Sequence, residues 1–120
     1  MIENDLYNDY LKNLTSGQRA KLSDAVNGLL KEGIPVPELY EELIRRSLYQ
    51  VGELWEKNQV SVATEHMATA MTEGLLNQIY PQLARQDSNN KTALICSVEG
   101  EPHQVGAKMV CDILEILINL

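Results

Sequence analysis

The chain has 120 residues, 44% of them hydrophobic, and 10 basic residues against 17 acidic ones, for a formal net charge of -7. This length provides one domain, or one domain with part of a second, and the apolar content is sufficient for a core. The acidic balance argues against direct nucleic-acid binding, which gains its affinity by neutralising phosphates. No apolar run is long enough to span a bilayer and the acidic N-terminus is unlike a signal peptide, so we expect a cytoplasmic protein without membrane contacts.

The first two predicted helices follow from apolar residues at helical spacing. The first covers residues 3–14 and carries this spacing at Leu6, Tyr7, Tyr10, Leu11 and Leu14. Thr15 or Ser16 is the expected N-cap of a second helix, which Gly33 ends. The predicted apolar face of this second helix comprises Leu22, Val26, Leu29 and Leu30.

Two longer helices complete a predicted four-helix bundle. The third runs from about residue 37 to 57, with inward side chains at Leu39, Leu43, Leu48, Val51, Leu54 and Trp55. Ser61 is expected to cap the fourth, and Pro81 to kink or end it. The predicted face of the fourth helix includes His66, Ala70, Leu75, Ile79 and Leu83. Short connections favour a bundle, and the polar stretch 86–91 is typical of a linker.

The part after the linker predicts a single βα unit. The apolar run 92–98 indicates a buried parallel strand, and the periodic run 107–120 indicates a helix. A doubly wound fold needs further strands, so we expect the front portion of a longer protein, with the strand paired in some other way, for example with a second copy. The predicted fold class is therefore mainly α: a bundle domain at residues 1–86, then the first βα unit of a truncated, flavodoxin-like α/β domain at residues 91–120.

The two cysteines predict no disulfide or zinc site. Cys96 falls in the predicted strand and Cys111 in the helix that follows. Their spacing matches no zinc pattern, and free cysteines are among the residues most often buried. We expect both to be small, buried apolar side chains of a reduced protein.

The loop between the predicted strand and the last helix reads Glu101-Pro102-His103-Gln104-Val105-Gly106. Open α/β sheets bind ligands in such loops, at the carboxyl ends of their strands. A neutral His103 can bind a metal while a nearby carboxylate fixes its tautomer, and Gly106 allows close approach of a ligand. Residue type and position alone leave open whether His103 is a ligand or an ordinary polar side chain.

The spacing Glu-x-His-x-x-Gly after a strand resembles the lower-ligand loop of cobalamin-binding domains, as in cobalamin-dependent methionine synthase and its relatives. The resemblance implies that His103 replaces the cofactor's own base beneath cobalt, with Glu101 as the partner of its imidazole. The implied cofactor is cobalamin, as adenosylcobalamin or methylcobalamin.

A second group of residues lies where the third and fourth helices meet. Trp55 is near the end of one helix, and Glu65 and His66 are near the start of the next. The structural alternative is that Trp55 fills the bundle end, Glu65 interacts with the helix dipole and His66 is half-buried. Trp, nine residues, then Glu-His resembles the helical cap of cobalamin-binding regulators, including light-responsive transcription regulators related to the MerR group. This implies that Trp55 and Glu65 contact the upper face of the corrin and that His66 is an upper ligand of cobalt.

Together the two resemblances imply a cobalamin-binding sensor or regulatory module, not an enzyme. Light or cofactor status would be its signal, and a protein partner or self-association would read its output. Two alternatives stay open. One is a corrinoid carrier of a methyltransferase system, which shares the cap and the histidine loop, and the other is a helical interaction domain without a cofactor.

Overall fold

The computed structural model describes residues 1–83, 87–101 and 103–118, and it is mainly helical. The helical segments are α1 (Asn4–Thr15), α2 (Arg19–Lys31), α3 (Val36–Leu39), a π-helical segment (Tyr40–Arg45), α4 (Arg46–Glu56), α5 (Val62–Ile79), a 3₁₀ turn (Tyr80–Gln82) and α6 (Val105–Ile118). The third predicted helix corresponds to α3, the π-helical segment and α4 in one continuous run, so the predicted four-helix bundle is confirmed. No helix in the described ranges is long and apolar enough to cross a membrane.

Three predicted features extend beyond the described residues. Gln86 begins the predicted linker, Pro102 belongs to the histidine loop, and Leu120 ends the last predicted helix. All three lie outside the described part of the chain.

One hydrophobic core joins the helices of the bundle. Its completely buried side chains include Tyr10, Leu14, Leu22, Val26, Leu39, Tyr40, Leu43 and Ile44. The prediction of inward side chains was wrong for Trp55, His66 and Ala70, all of which are exposed. The buried stripe of α5 starts at Ala68, and residues two positions away lie about 200° round the helix, on its opposite side.

The ends of the helices follow from cap residues. Gly33 has φ +87°, and the N–H groups of Gly33 and Ile34 donate to carbonyls in the last turn of α2. Asn58, with φ +57°, ends α4 with the same pair of hydrogen bonds. This is the pattern in which a left-handed residue stops a helix, and asparagine tolerates that backbone next best after glycine.

At the helix N-termini, one predicted cap is confirmed and one is wrong. The Thr64 N–H donates to Ser61 Oγ at 3.1 Å, so Ser61 caps α5 as predicted. The hydroxyls of Thr15 and Ser16 instead donate to carbonyls of α1, at 3.1 and 2.8 Å. They close α1 and do not start α2, whose N-cap is Gln18 without a side-chain cap bond.

The predicted strand is not formed within the described residues. Residues 92–98 carry neither helix nor strand, and Leu94 and Val98 are 94% and 78% exposed. A lone strand has no neighbour with which to exchange backbone hydrogen bonds, which is the physical reason. The predicted burial of the cysteines was also wrong, because Cys96 is exposed and Cys111 is half-buried.

The last helix is confirmed, and it packs against α5 and the π-helical segment. Its N-terminal residue Val105 is buried, and the Tyr40 hydroxyl donates to Asp112 Oδ2 at 2.5 Å. Burial raises the pKa of Asp112, although the hydrogen bond from Tyr40 partly opposes this, and burial also raises the pKa of Tyr40. With α6 held in this way, the residues preceding it lie against α5, near Glu65 and Glu73.

Candidate functional site

One face of α5 provides three polar side chains on successive turns. Glu65, Thr69 and Glu73 are spaced four residues apart, which places them above one another on a helix. The Ser61 cap fixes the start of α5 and therefore the direction in which Glu65 points. This face meets the loop that precedes α6.

Glu65 is the centre of the cluster. Its Oε1 accepts a hydrogen bond from the buried Thr69 hydroxyl at 3.3 Å and lies 3.9 Å from His103 Nε2. Its Oε2 lies 2.7 Å from His66 Nδ1. The Glu65 side chain is only 18% exposed, against 60% for His66 and 37% for His103. A largely covered carboxylate thus stands between two more accessible imidazoles.

The two histidines come from different parts of the chain and meet at this carboxylate. The ring centroids of His66 and His103 are 5.5 Å apart, with 50° between the ring planes. One ligating atom from each histidine and one from Glu65 all lie within 4.8 Å of one another. Two imidazoles and a carboxylate form a ligand set suited to transition metals.

The remaining predicted residues of the loop have other contacts. Glu101 Oε1 accepts a hydrogen bond from the backbone N–H of His103 at 2.9 Å, so it shapes the loop. Among the described residues, Glu65 provides the carboxylate within 4 Å of the His103 ring. Gly106 is exposed near the start of α6, and an added Cβ there would meet no atom within 4 Å.

Trp55 lies outside the cluster, at the C-terminal end of α4. Its side chain is 44% exposed, and the turn 57–61 connects its helix to α5. The indole is therefore partly covered by the protein and partly open to solvent.

Two residues of the site escaped the sequence analysis. Thr69 orients Glu65, and Glu73 Oε1 accepts a hydrogen bond from the Gln104 N–H at 3.3 Å, which joins the loop to α5. Their signal was a polar side chain at every fourth position after Glu65, along a helix whose other stripe is apolar.

A cleft of about 600 Å³ adjoins the cluster. It lies between α5, α6 and residues 95–98, and both Glu101 and Gln104 line it. Its volume is in the range of small-molecule sites. The loop that carries His103 therefore separates the cluster from an open cleft.

The helical bundle matches a known protein family. A family model described as a B12 binding domain matches residues 6–80, which include nearly all of the helical bundle. Trp55, Glu65 and His66 lie within the matched segment, and His103 lies beyond it. No curated protein matches the chain.

Proposed function

The chain belongs to the B12-binding domain family, and from this premise we propose that it is a cobalamin-binding sensor or regulatory module, not an enzyme. In this proposal His103 binds cobalt from the lower side, and Glu101 holds the loop that presents it. Trp55, Glu65 and His66 lie over the upper face of the corrin. Membership of the family supports cobalamin as the ligand. The choice of adenosylcobalamin or methylcobalamin and a response to light belong to the proposal.

The convergence of His66 and His103 is the observation that carries the proposal. His66 belongs to α5 and His103 precedes α6, yet their ring centroids are 5.5 Å apart. Nitrogen ligands lie about 2 Å from a metal, so two on opposite sides of one ion are about 4 Å apart. The ligating atoms of the cluster lie within 4.8 Å of one another, so the two imidazoles are near enough to share one ion.

The exposure of Trp55 supports the same function. An aromatic side chain that is 44% exposed at a helix end provides a flat apolar surface for a ligand. It also lies inside the segment that the family model matches. Its proposed role is to cover the upper side of the cofactor and exclude water.

The contacts between α5 and the loop indicate how binding could become a signal. Glu65 contacts both histidines, and the Gln104 N–H donates to Glu73, so the loop lies directly on α5. A flat macrocycle enters only if His103 moves away from α5. Cobalamin supplies a cobalt centre whose upper ligand can change, and the chain's residues hold and shield it. We call the arrangement in which His103 has moved away from α5 the open arrangement. A ligand that binds it better than the closed one shifts α6 relative to the bundle, and this shift is the proposed output.

The test uses the purified chain and three cobalamins, carrying an adenosyl, a methyl or a hydroxyl upper ligand. Binding in the dark is measured by equilibrium dialysis, and absorbance spectra are recorded before and after illumination. We expect the wild type to retain cobalamin and His103→Ala to bind it more weakly. After illumination, the spectrum of His66→Ala should differ from that of the wild type. Gln59→Ala, on the exposed turn before α5, is the control and should match the wild type.

Two outcomes would overturn parts of the proposal. If the chain retains none of the three cobalamins, cobalamin binding by this chain is rejected. If methylcobalamin stays bound and illumination changes nothing, or changes it equally in His66→Ala, the light-sensing role is rejected in favour of a corrinoid carrier.

A further inference from the structure

Glu65, His66 and His103 contact one another directly, with no space for a corrin between them in this arrangement. Cobalamin binding does not account for this direct contact. One atom from each residue lies within 4.8 Å of the other two, and each Glu65 oxygen lies towards a different histidine. In a tetrahedral zinc site with bonds of 2.0–2.2 Å, the ligating atoms are about 3.4 Å apart. The 2.7 and 3.9 Å separations at Glu65 lie on either side of that value.

We propose that Glu65, His66 and His103 bind a bare divalent transition-metal ion of the Zn²⁺ class, directly and without a corrin. Two imidazoles and one carboxylate are the protein ligands of some catalytic zinc sites, in which water takes the fourth position. Imidazole nitrogens disfavour Ca²⁺ and Mg²⁺, which prefer oxygen ligands. The ion takes the place of the 2.7 Å contact between His66 Nδ1 and Glu65 Oε2, and His66 then carries its ring proton on Nε2.

The surrounding contacts orient two of the three ligands. The buried Thr69 hydroxyl lies 3.3 Å from Glu65 Oε1 and 3.1 Å from the Glu65 backbone carbonyl oxygen, so its one hydrogen is shared between these two acceptors. The Glu101 carboxylate holds the backbone N–H of His103 at 2.9 Å. Contacts of this kind hold metal ligands in the binding orientation, and their removal typically weakens binding about 10- to 100-fold. His66 is the most exposed of the three and can adjust its rotamer to the ion.

A bound ion would fasten the loop before α6 onto α5. Glu65 and His66 belong to α5, and His103 precedes α6, so the ion links the two elements. Ion binding therefore favours the closed arrangement, in which the loop that carries His103 lies on α5. A further consequence, which rests on the proposed function, is that Zn²⁺ competes with cobalamin. Ion binding itself is independent of that function.

The experiment titrates Zn²⁺ into the full chain, after treatment with a chelator, by isothermal calorimetry near neutral pH. We expect one ion per chain and a melting temperature that rises by several degrees with Zn²⁺. His66→Ala, His103→Ala and Glu65→Gln should each weaken binding at least about tenfold, and Thr69→Val about 10- to 100-fold. Circular dichroism in the absence of the ion shows whether each variant is folded.

Three controls test for other ligands. Glu56→Gln, at the exposed end of α4, should bind Zn²⁺ as the wild type does. The double variant Cys96→Ser, Cys111→Ser tests the two free thiols, of which Cys96 is exposed and Cys111 is half-buried. Co²⁺, as a coloured substitute, should give visible absorption without the charge-transfer band of a thiolate ligand.

The proposal is overturned if Zn²⁺ does not bind, if folded His66→Ala and His103→Ala bind it like the wild type, or if the double cysteine variant abolishes binding. Failure of cobalamin binding with intact Zn²⁺ binding would reject the proposed function alone. Zn²⁺ and cobalamin binding at the same time, without mutual weakening, would reject their competition and leave the ion site.

Discussion

The two fully buried tyrosines, Tyr40 and Tyr10, provide a matched test of the packing, because a Tyr→Phe change removes the same hydroxyl from each. Tyr40 is 0% exposed and donates to Asp112, which is 6% exposed, at 2.5 Å. The Tyr10 hydroxyl is also buried, and it has no hydrogen-bond partner among the described residues. The same chemical change should therefore have opposite effects at the two positions.

The size of each effect follows from what the hydroxyl contacts. A hydrogen bond to a charged group contributes about 1.5–3 kcal/mol, and Tyr40→Phe leaves the Asp112 carboxyl buried without its donor. We expect the free energy of unfolding to fall by about 2–3 kcal/mol. Tyr10→Phe removes an unsatisfied buried oxygen, so the stability should be unchanged or rise by up to about 1 kcal/mol.

The loss in Tyr40→Phe should depend on pH. Burial raises the pKa of Asp112 above its ordinary value of 3.8, and the nearby Glu115 carboxylate raises it further, whereas the hydrogen bond from Tyr40 and the Lys108 charge lower it. For a carboxyl with a raised pKa, the stability it contributes is complete below the unfolded pKa and is lost as the pH rises through the folded pKa. Removal of the Tyr40 hydroxyl raises the folded pKa further, so the deficit of the variant should grow as the pH rises through this window.

The measurement is urea denaturation followed by far-UV circular dichroism, from acidic to neutral pH. Wild type, Tyr40→Phe, Asp112→Asn and their double variant form a cycle that isolates the coupling between the two side chains. Tyr10→Phe is measured alongside as the control. Equal effects of the two Tyr→Phe changes, or a Tyr40→Phe deficit that is the same at every pH, would refute the bridge between the bundle and α6.

Three further pairs of variants test the caps and the core by urea denaturation. Ser61→Ala should lower the free energy of unfolding by about 1 kcal/mol, and Ser61→Gly by only a few tenths of a kcal/mol, because glycine suits an N-cap. Equal losses in the two variants would contradict the cap. Leu43→Ala, in the buried core, should lower the free energy of unfolding by about 2–5 kcal/mol. Leu94 is 94% exposed, so Leu94→Ala should lower it by less than about 0.5 kcal/mol, and a similarly small decrease for Leu43→Ala would refute the packing. Gly28→Ala, inside α2, should stabilise the protein by about 0.5–1 kcal/mol, whereas Gly33→Ala, at φ +87°, should destabilise it by about 1–2 kcal/mol. Effects of the same sign at both positions would refute the cap at Gly33.

The helices could be predicted from the sequence because their signals are local. Leu22 and Val26, one turn apart on α2, are both completely buried, as the apolar period indicates. Ser61 and Gly33 act within a few residues of themselves, so their cap roles were readable as well. Thr15 and Ser16 were misjudged because their hydroxyls could serve either the end of α1 or the start of α2.

The features that were missed depend on partners distant in sequence. The apolar run 92–98 has the composition of a strand, but strand formation requires a neighbouring strand, which the described residues do not provide. The bridge from Tyr40 to Asp112 links the third helical run to the last helix and has no local pattern. The π-helical turn that contains Tyr40 likewise had no signal in the periodicity.

Some residues of the candidate site were selected from the sequence, but their contacts were not predicted. Glu65, His66 and His103 were all selected from their motifs, and the structure brings them together. Glu101 was expected to be the partner of the His103 ring, but in the structure it bonds the backbone and Glu65 lies beside the ring. That exchange follows from how α6 docks on α5, which spacing within the loop cannot reveal.

The contacts that hold α6 differ in strength along its length, and this indicates where it can open. At its start, His103 and Gln104 contact α5 only through partly exposed polar groups, each of which contributes about 1 kcal/mol or less. Further along, the Tyr40 bridge to Asp112 is buried and should cost more to break. A ligand that separates His103 from Glu65 must therefore offset these weak contacts, together with the burial of Val105 if the start of α6 moves with the loop, while the buried bridge from Tyr40 can stay intact. A bare ion that links the same two residues strengthens those weak contacts, so the two ligands would act on one equilibrium in opposite directions.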